Sequence, residues 1–339
     1  MKKTTKILLG LLLLAGLLFM ADSFLRGYYL RLVVLFAVTA VTALGVNIVN
    51  GYTNIFSLGF GGTMMVAAYT AALLTLSPAY KKAVLHLPLW LEQMQTSFPV
   101  AMLCGGALAV IASTILLLPA FRLQGQYFIL ASMGVNIVMG NLAENLRGFT
   151  HGDMGLRSIP AYTNIWWAYG VLALVVYFIH RLIQSKYGRA LVAISKDQEL
   201  AAVMGINVVK YKIVSFVIGS FITGMGAVLW VHLVLTMNPK AFGLVYVFQI
   251  VAMLAIGGIG TISGTLIGAA ILTLGTELLS PVQEGFSLLG FQIPPAFGLV
   301  NVLMAVLLVV IMIYKPRGIM NGREIWEVAG PRVRKNASS

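Results

Sequence analysis

Long apolar runs alternate with short polar segments along the whole chain. Ten such runs are read, over roughly 7–24, 30–48, 55–76, 98–118, 126–145, 166–184, 212–236, 245–258, 262–280 and 298–314. About 20 apolar residues carry a helix across a bilayer. Lipid offers no partners to open backbone groups, so each spanning run is predicted helical. The pattern therefore predicts an all-α polytopic membrane protein with about ten transmembrane helices, nine or ten depending on one segment. That segment is the eighth, which is short for a span. It reads as half of a broken or re-entrant hairpin with the ninth.

Composition agrees. The 339 residues are 59% hydrophobic and 10% charged, with a mean hydropathy of +0.93. Soluble domains carry about 25% charged residues. The formal net charge is +13. The basic residues scatter over short loops and form no aromatic-interleaved patch, which argues against nucleic acid. They orient helices instead. With the N-terminus inside, inner segments hold 16 of the 23 Lys and Arg, which places both termini in the cytoplasm. Fusing the eighth and ninth runs into one span would throw the basic C-terminal "YKPRG" outside, so the hairpin is favoured. The start, "MKKTTKILLGLLLLAGLLFMADSF", resembles a signal peptide but reads as an uncleaved first helix, because its cleavage pattern is poor. The expected organisation is a permease domain over 1–322 and a short polar cytoplasmic tail over 323–339. An outer connection, 77–97, includes an interfacial segment anchored by Trp90. Cys104 is the single cysteine, so no internal disulfide forms and no Cys-rich metal site exists.

Several polar and glycine positions interrupt the apolar runs. "GYTNIFSLGFGG" over Gly51–Gly62 leads into the third run. Ser57 or Asn54 could cap the helix that follows, and Gly59, Gly61 and Gly62 permit close packing. Asn54, Ser57, Gly59, Phe60, Asn136 and Glu144 are candidates for a translocation path or gate. Tight packing is weighted above direct contact for the glycines. "GGIGTISGTLIGAA" places Gly260, Gly264 and Gly268 at i, i+4 and i+8, and with Gly257 it reads as a packing face. Glu144 and Glu277 lie near helix ends and are functional candidates by default. Asn141 and Gln249 are further polar positions within spans. No G-x-x-x-x-G-K-[ST] is present, so the chain lacks a P-loop for ATP hydrolysis. His151 and Asp153 in "HGD" form no catalytic constellation. No enzyme activity, cofactor or metal is expected.

The inner loop over 185–211 is the most informative segment. A short helix over Asp197–Met204 is stopped by Gly205, and Leu200, Val203 and Met204 form one apolar stripe. Such a helix suits docking on a soluble partner, and equally suits lying on membrane lipid. Glu199, Ala201 and Gly205 match the first, third and seventh positions of the Glu-Ala-Ala-x-x-x-Gly loop of bacterial ABC-importer permeases, with Ala202 at a free position and Leu200 in place of the second motif residue. The run "YGRALVAISKDQELAAVMGINV" resembles branched-chain amino acid permeases of the LivM type. "GYTNIFSLGFGGTMMVAAYTAA", "GQYFILASMG", "THGDMGLRSIP", "MLAIGGIGTISGTLIGAAIL" and "YKPRGIMNGRE" resemble that family in the right order, over roughly Gly45 to Gly322. The resemblance implies an importer permease in the bacterial cytoplasmic (inner) membrane. It implies coupling to an ATPase through Glu199, Ala201, Ala202 and Gly205. The implied partners are a second homologous permease, two cytoplasmic ABC ATPases and an extracytoplasmic substrate-binding protein. The implied cargo is a branched-chain or other small amino acid. Phe60 stands where the family usually has His, and His151 where Gly is common, which leaves urea, amides or sugars open as cargo. An ion-coupled secondary transporter predicts paired ionisable groups at mid-membrane, and the sequence shows none clearly.

Overall fold

The computed structural model describes residues 27–85, 87–123, 125–279, 287–288, 291–292, 298–316, 318–320 and 324. The run over 7–24 lies outside them. The other nine each hold a helix within a few residues of the expected bounds. The helices are α1 Tyr28–Asn50, α2 Phe60–Thr75, α3 Pro78–Val84, α4 Leu89–Glu92 and α5 Phe98–Leu117. There follow α6 Gln126–Asn145, α7 Arg147–Thr150, α8 Ile165–Gln184, α9 Lys186–Lys196 and α10 Gln198–Val203. The last four are α11 Val208–Val234, α12 Leu244–Gly257, α13 Ile262–Leu278 and α14 Leu299–Tyr314. One departure from an all-helical fold is an antiparallel pair, β1 Ser287–Leu288 with β2 Phe291–Gln292, in the connection before α14. A two-residue pairing of this kind carries no hydropathy signal.

Among the described residues, α1, α5, α6, α8, α11 and α12 with its preceding 3-10 turn are long and apolar enough to cross a membrane. The bent pair α2 and α3, at 114°, adds a seventh if it is one broken span. The α13 helix and the Val302–Tyr314 part of α14 are apolar but shorter. The protein is thus a multi-pass helical membrane protein.

The core is built on α1 and α11. From Ala37 to Asn50 every residue of α1 is buried. In lipid, helices gain little by hiding apolar surface from one another, and close backbone approach does the work instead. A Cβ at Gly45 would stand 2.8 Å from the Gly219 carbonyl oxygen, and one at Gly219 would stand 2.7 Å from that of Gly45. Thr223 donates its hydroxyl proton to the Gly219 carbonyl at 2.7 Å, so its polarity is spent within α11. His232 is fully buried near the far end of α11, paired with Thr75 of α2 at 2.9 Å and enclosed by Phe98 and Tyr162.

The α12 and α13 helices pack as an antiparallel hairpin around the turn Gly258–Thr261. A Cβ at Gly257 would land on the Gly264 carbonyl, and one at Gly268 on the Met253 carbonyl. The glycine face read from the sequence is therefore a backbone-to-backbone crossing. Gly260 differs in kind: it sits in the turn at φ +79°.

Candidate functional site

The loop between α8 and α11 folds as two short helices. Ser185 caps α9 by accepting from the Gly188 N–H at 3.2 Å. Leu191 and Ile194 bury one side of α9 against the bundle. Asp197 caps α10, its carboxylate accepting from the Glu199 and Leu200 N–H groups at 2.9 and 3.0 Å. The helix ends as a Schellman motif. Ile206 N–H donates to the Ala201 carbonyl, and Gly205 N–H to that of Ala202. Gly205 itself is left-handed at φ +83°, with open space where a Cβ would be.

This geometry sorts the four motif residues. Ala201 is buried and seats α10 on the protein. Glu199 and Ala202 are exposed. Gly205 supplies the stop. The apolar stripe faces away: Leu200 is 65% exposed, Val203 84% and Met204 81%. Three large apolar side chains thus stand uncovered together on α10 and its C-cap residue, an exposed apolar patch.

The polar, Gly-rich segment before α2 lies at the same end of the bundle. Asn50 closes it as a ring, accepting from the Ser57 N–H at 3.0 Å and donating to the Ser57 carbonyl at 3.3 Å. Ser57 Oγ accepts from the Gly59 N–H, just ahead of the helix, and α2 has no side-chain cap. Asn54 is exposed and left-handed at φ 53°. The structure brings Ser57, Gly59, Phe60 and Asn136 together. Asn136 donates to the Leu58 carbonyl at 3.3 Å, and Ser132 Oγ accepts from the Leu58 N–H at 3.0 Å. Phe60 is fully buried against Phe216 and sits in the core. Glu144 is remote from these, half-buried at the opposite end of α6. Near it Lys240 pairs with Asp153 at 3.1 Å, both exposed.

Beside the ring lies a clamp that sequence reasoning missed. Asn47, fully buried, donates to the Thr261 carbonyl and accepts from the Gly260 N–H, at 3.1 and 2.9 Å. The C-terminal segment then straps the hairpin: Ile319 and Met320 N–H groups donate to the Ile256 and Gly257 carbonyls at 2.9 and 3.0 Å. Glu324 completes it. Its carboxylate accepts from the Ile262 and Ser263 N–H groups at 2.7 and 3.0 Å and from the Ser263 hydroxyl. A carboxylate there meets both the orphan donors and the positive end of the α13 dipole. Burial, then the neighbouring Glu324 carboxylate, holds the Tyr52 phenol well above its ordinary range. No local pattern could have paired Glu324 with residues some sixty positions earlier.

The described residues thus form a multi-span helical bundle with a short, exposed amphipathic helix between two spans. The chain belongs to the family described as branched-chain amino acid transport system / permease component, whose model matches residues 28–314. It is similar to the high-affinity branched-chain amino acid transport system permease protein LivM of Escherichia coli (strain K12), 24% identical over 314 residues, spanning 83% of this chain and 67% of the relative. The probable branched-chain amino acid transport permease protein LivM of Methanocaldococcus jannaschii is 23% identical over 242 residues, 66% of this chain and 68% of its own. LivH of Escherichia coli (strain K12), a permease protein of the same system, is 26% identical over 178 residues, 52% of this chain and 53% of its own. The chain is thus a transport component and no enzyme.

Proposed function

We propose that this chain is the LivM-type permease of an ATP-driven importer that carries branched-chain or other small amino acids inward by alternating access. Its partners would be a homologous second permease of the LivH kind, two cytoplasmic ATPases and an extracytoplasmic binding protein. The complex sits in the bacterial inner membrane, with ten spans and both termini cytoplasmic. The permease domain runs over 1–322. Residues 323–339 are a short polar cytoplasmic tail. Coupling runs through Glu199, Ala201, Ala202 and Gly205. Ser57, Gly59, Phe60 and Asn136 shape the inner end of the path, with Asn54 at its rim and Glu144 at the outer end.

The observation that carries the reading is the exposed stripe of Leu200, Val203 and Met204 on α10, in a chain of this family. A soluble partner with an apolar groove recognises such a helix through anchors at i, i+3 and i+4. The test is co-purification from mild detergent with Val203→Asp and Met204→Asp. A P-loop ATPase accompanies the native chain and is lost from both variants. Retention of that ATPase by both would leave the stripe to the lipid surface and remove the coupling assignment.

A further inference from the structure

Three helices, α2, α5 and α11, meet at one crossing. A Cβ at Gly224 would stand 3.3 Å from that of Ala67 and 3.6 Å from that of Ala109. Further along, the Phe216 ring meets that of Phe60 at 5.4 Å between centroids, and that of Phe121, just past α5, also at 5.4 Å. These two contact levels fix the register: α2 and α11 run parallel, and α5 runs against them. Residues four apart on a helix share a face, so each helix holds one more position on this face between the levels. On α2 it is Thr63, on α11 Ser220 and on α5 Ser113. All three are fully buried. The register therefore gathers three hydroxyls at one level, between a glycine crossing and an aromatic floor.

Hydrogen bonding sets this level apart. Buried hydroxyls of these helices fold back onto their own backbone: Thr75 donates to the Ala71 carbonyl at 2.9 Å, Thr223 to that of Gly219 at 2.7 Å and Ser113 to that of Ala109 at 2.6 Å. Thr63 and Ser220 do not. Among the described residues, neither hydroxyl has a hydrogen-bond partner. A side-chain rotation offers each the same back-bond, and an unpaired buried hydroxyl is costly. Both are therefore set toward a third group. Ser113 has given its proton to Ala109 and keeps its lone pairs to accept. Charge narrows the choice. No Asp, Glu, Lys, Arg or His stands on α2 or α5, and those of α11 lie toward its ends, at Lys210, Lys212 and His232. A buried cation here would be uncompensated. A buried water takes about three hydrogen bonds from polar groups, and three hydroxyl oxygens are at hand. We propose that Thr63, Ser220 and Ser113 hold an internal water molecule that links α2, α5 and α11. The site depends neither on the cargo nor on the partners proposed above.

The test is X-ray radiolytic footprinting of the full chain in nanodiscs, read by mass spectrometry. Radicals made from a bound water modify its neighbours, so Phe60 and Phe216 become labelled although both are fully buried. The combined Thr63→Val and Ser220→Ala variant keeps the packing shape and loses the hydroxyls, and its labelling falls to background. Thr63→Ser keeps a hydroxyl and keeps the labelling. The melting temperature is the same in sodium and in choline chloride. Native Phe60 and Phe216 that stay unlabelled overturn the site. So does labelling that the combined variant leaves unchanged. A native melting temperature raised by sodium, with no such rise in the combined variant, would identify a bound cation and overturn the water.

Discussion

Gly205 shows how one residue's conformation decides an element. The sequence marks it as a helix stop, and a bulky replacement there is expected to abolish transport. The structure gives the reason a different form. A Cβ at Gly205 would meet nothing, so bulk is tolerated by space; handedness at φ +83° is not. A left-handed backbone costs an L-residue about 1–2 kcal/mol, and Asn pays least. Transport by Gly205→Asn should therefore exceed that of Gly205→Ala, with Gly205→Val lowest, at equal amounts of inserted protein. An order that follows side-chain size alone would contradict this. Glu324 is a second case. Replacing it with Gln removes a charge from three hydrogen bonds at a helix N-terminus, at a cost of about 1–2 kcal/mol. Thermal unfolding in detergent should fall by several degrees for Glu324→Gln and less for Glu324→Asp.

At the scale of elements, packing of α12 on α13 is set by absent side chains. Gly257, Gly264 and Gly268 let two backbones touch where a methyl group would strike a carbonyl. Overpacking a well-fitted contact costs about 1–3 kcal/mol, and here the obstacle is backbone, which cannot rotate away. Gly264→Leu should sharply reduce the yield of folded protein. Gly134→Leu on α6, which faces open space, should leave it unchanged. Both are read by fluorescence-detected size exclusion. The same elements mark what was legible in the sequence. The bounds of α6, the short helix before Gly205 and the glycine crossing follow from local pattern, because lipid forces helices and glycine spacing has a period; the eighth run, read as short for a span, is long enough once the turn at Pro239–Phe242 is added. The clamp of Asn47, the ring closed by Asn50 and the cap from Glu324 do not follow. Each joins polar atoms to backbone groups through the fold, and an Asn or Glu in an apolar chain looks the same whether it lines a path or ties down a turn. Phe60 illustrates the converse: a position noted for its departure from a family pattern lies in the aromatic core with Phe216.

Across the whole molecule, the bundle has two unlike ends. One gathers α9, α10, the ring at Ser57, the hairpin turn and Glu324. The other carries the exposed Leu89 and Trp90, the Lys240–Asp153 pair and the start of α1 at Tyr28. We propose from the loop Lys and Arg that the first end faces the cytoplasm, since short loops obey that bias most closely. Cys104 is the single native cysteine, so replacing it gives a clean background for mapping sides. Ser195→Cys, on α9, should resist a membrane-impermeant maleimide in intact cells and react after permeabilisation. Asp153→Cys, beside Lys240, should react in both. On the proposed reading, α10 meets a cytoplasmic ATPase only in this orientation. Reaction of Ser195→Cys in intact cells would invert the molecule and with it the direction of transport.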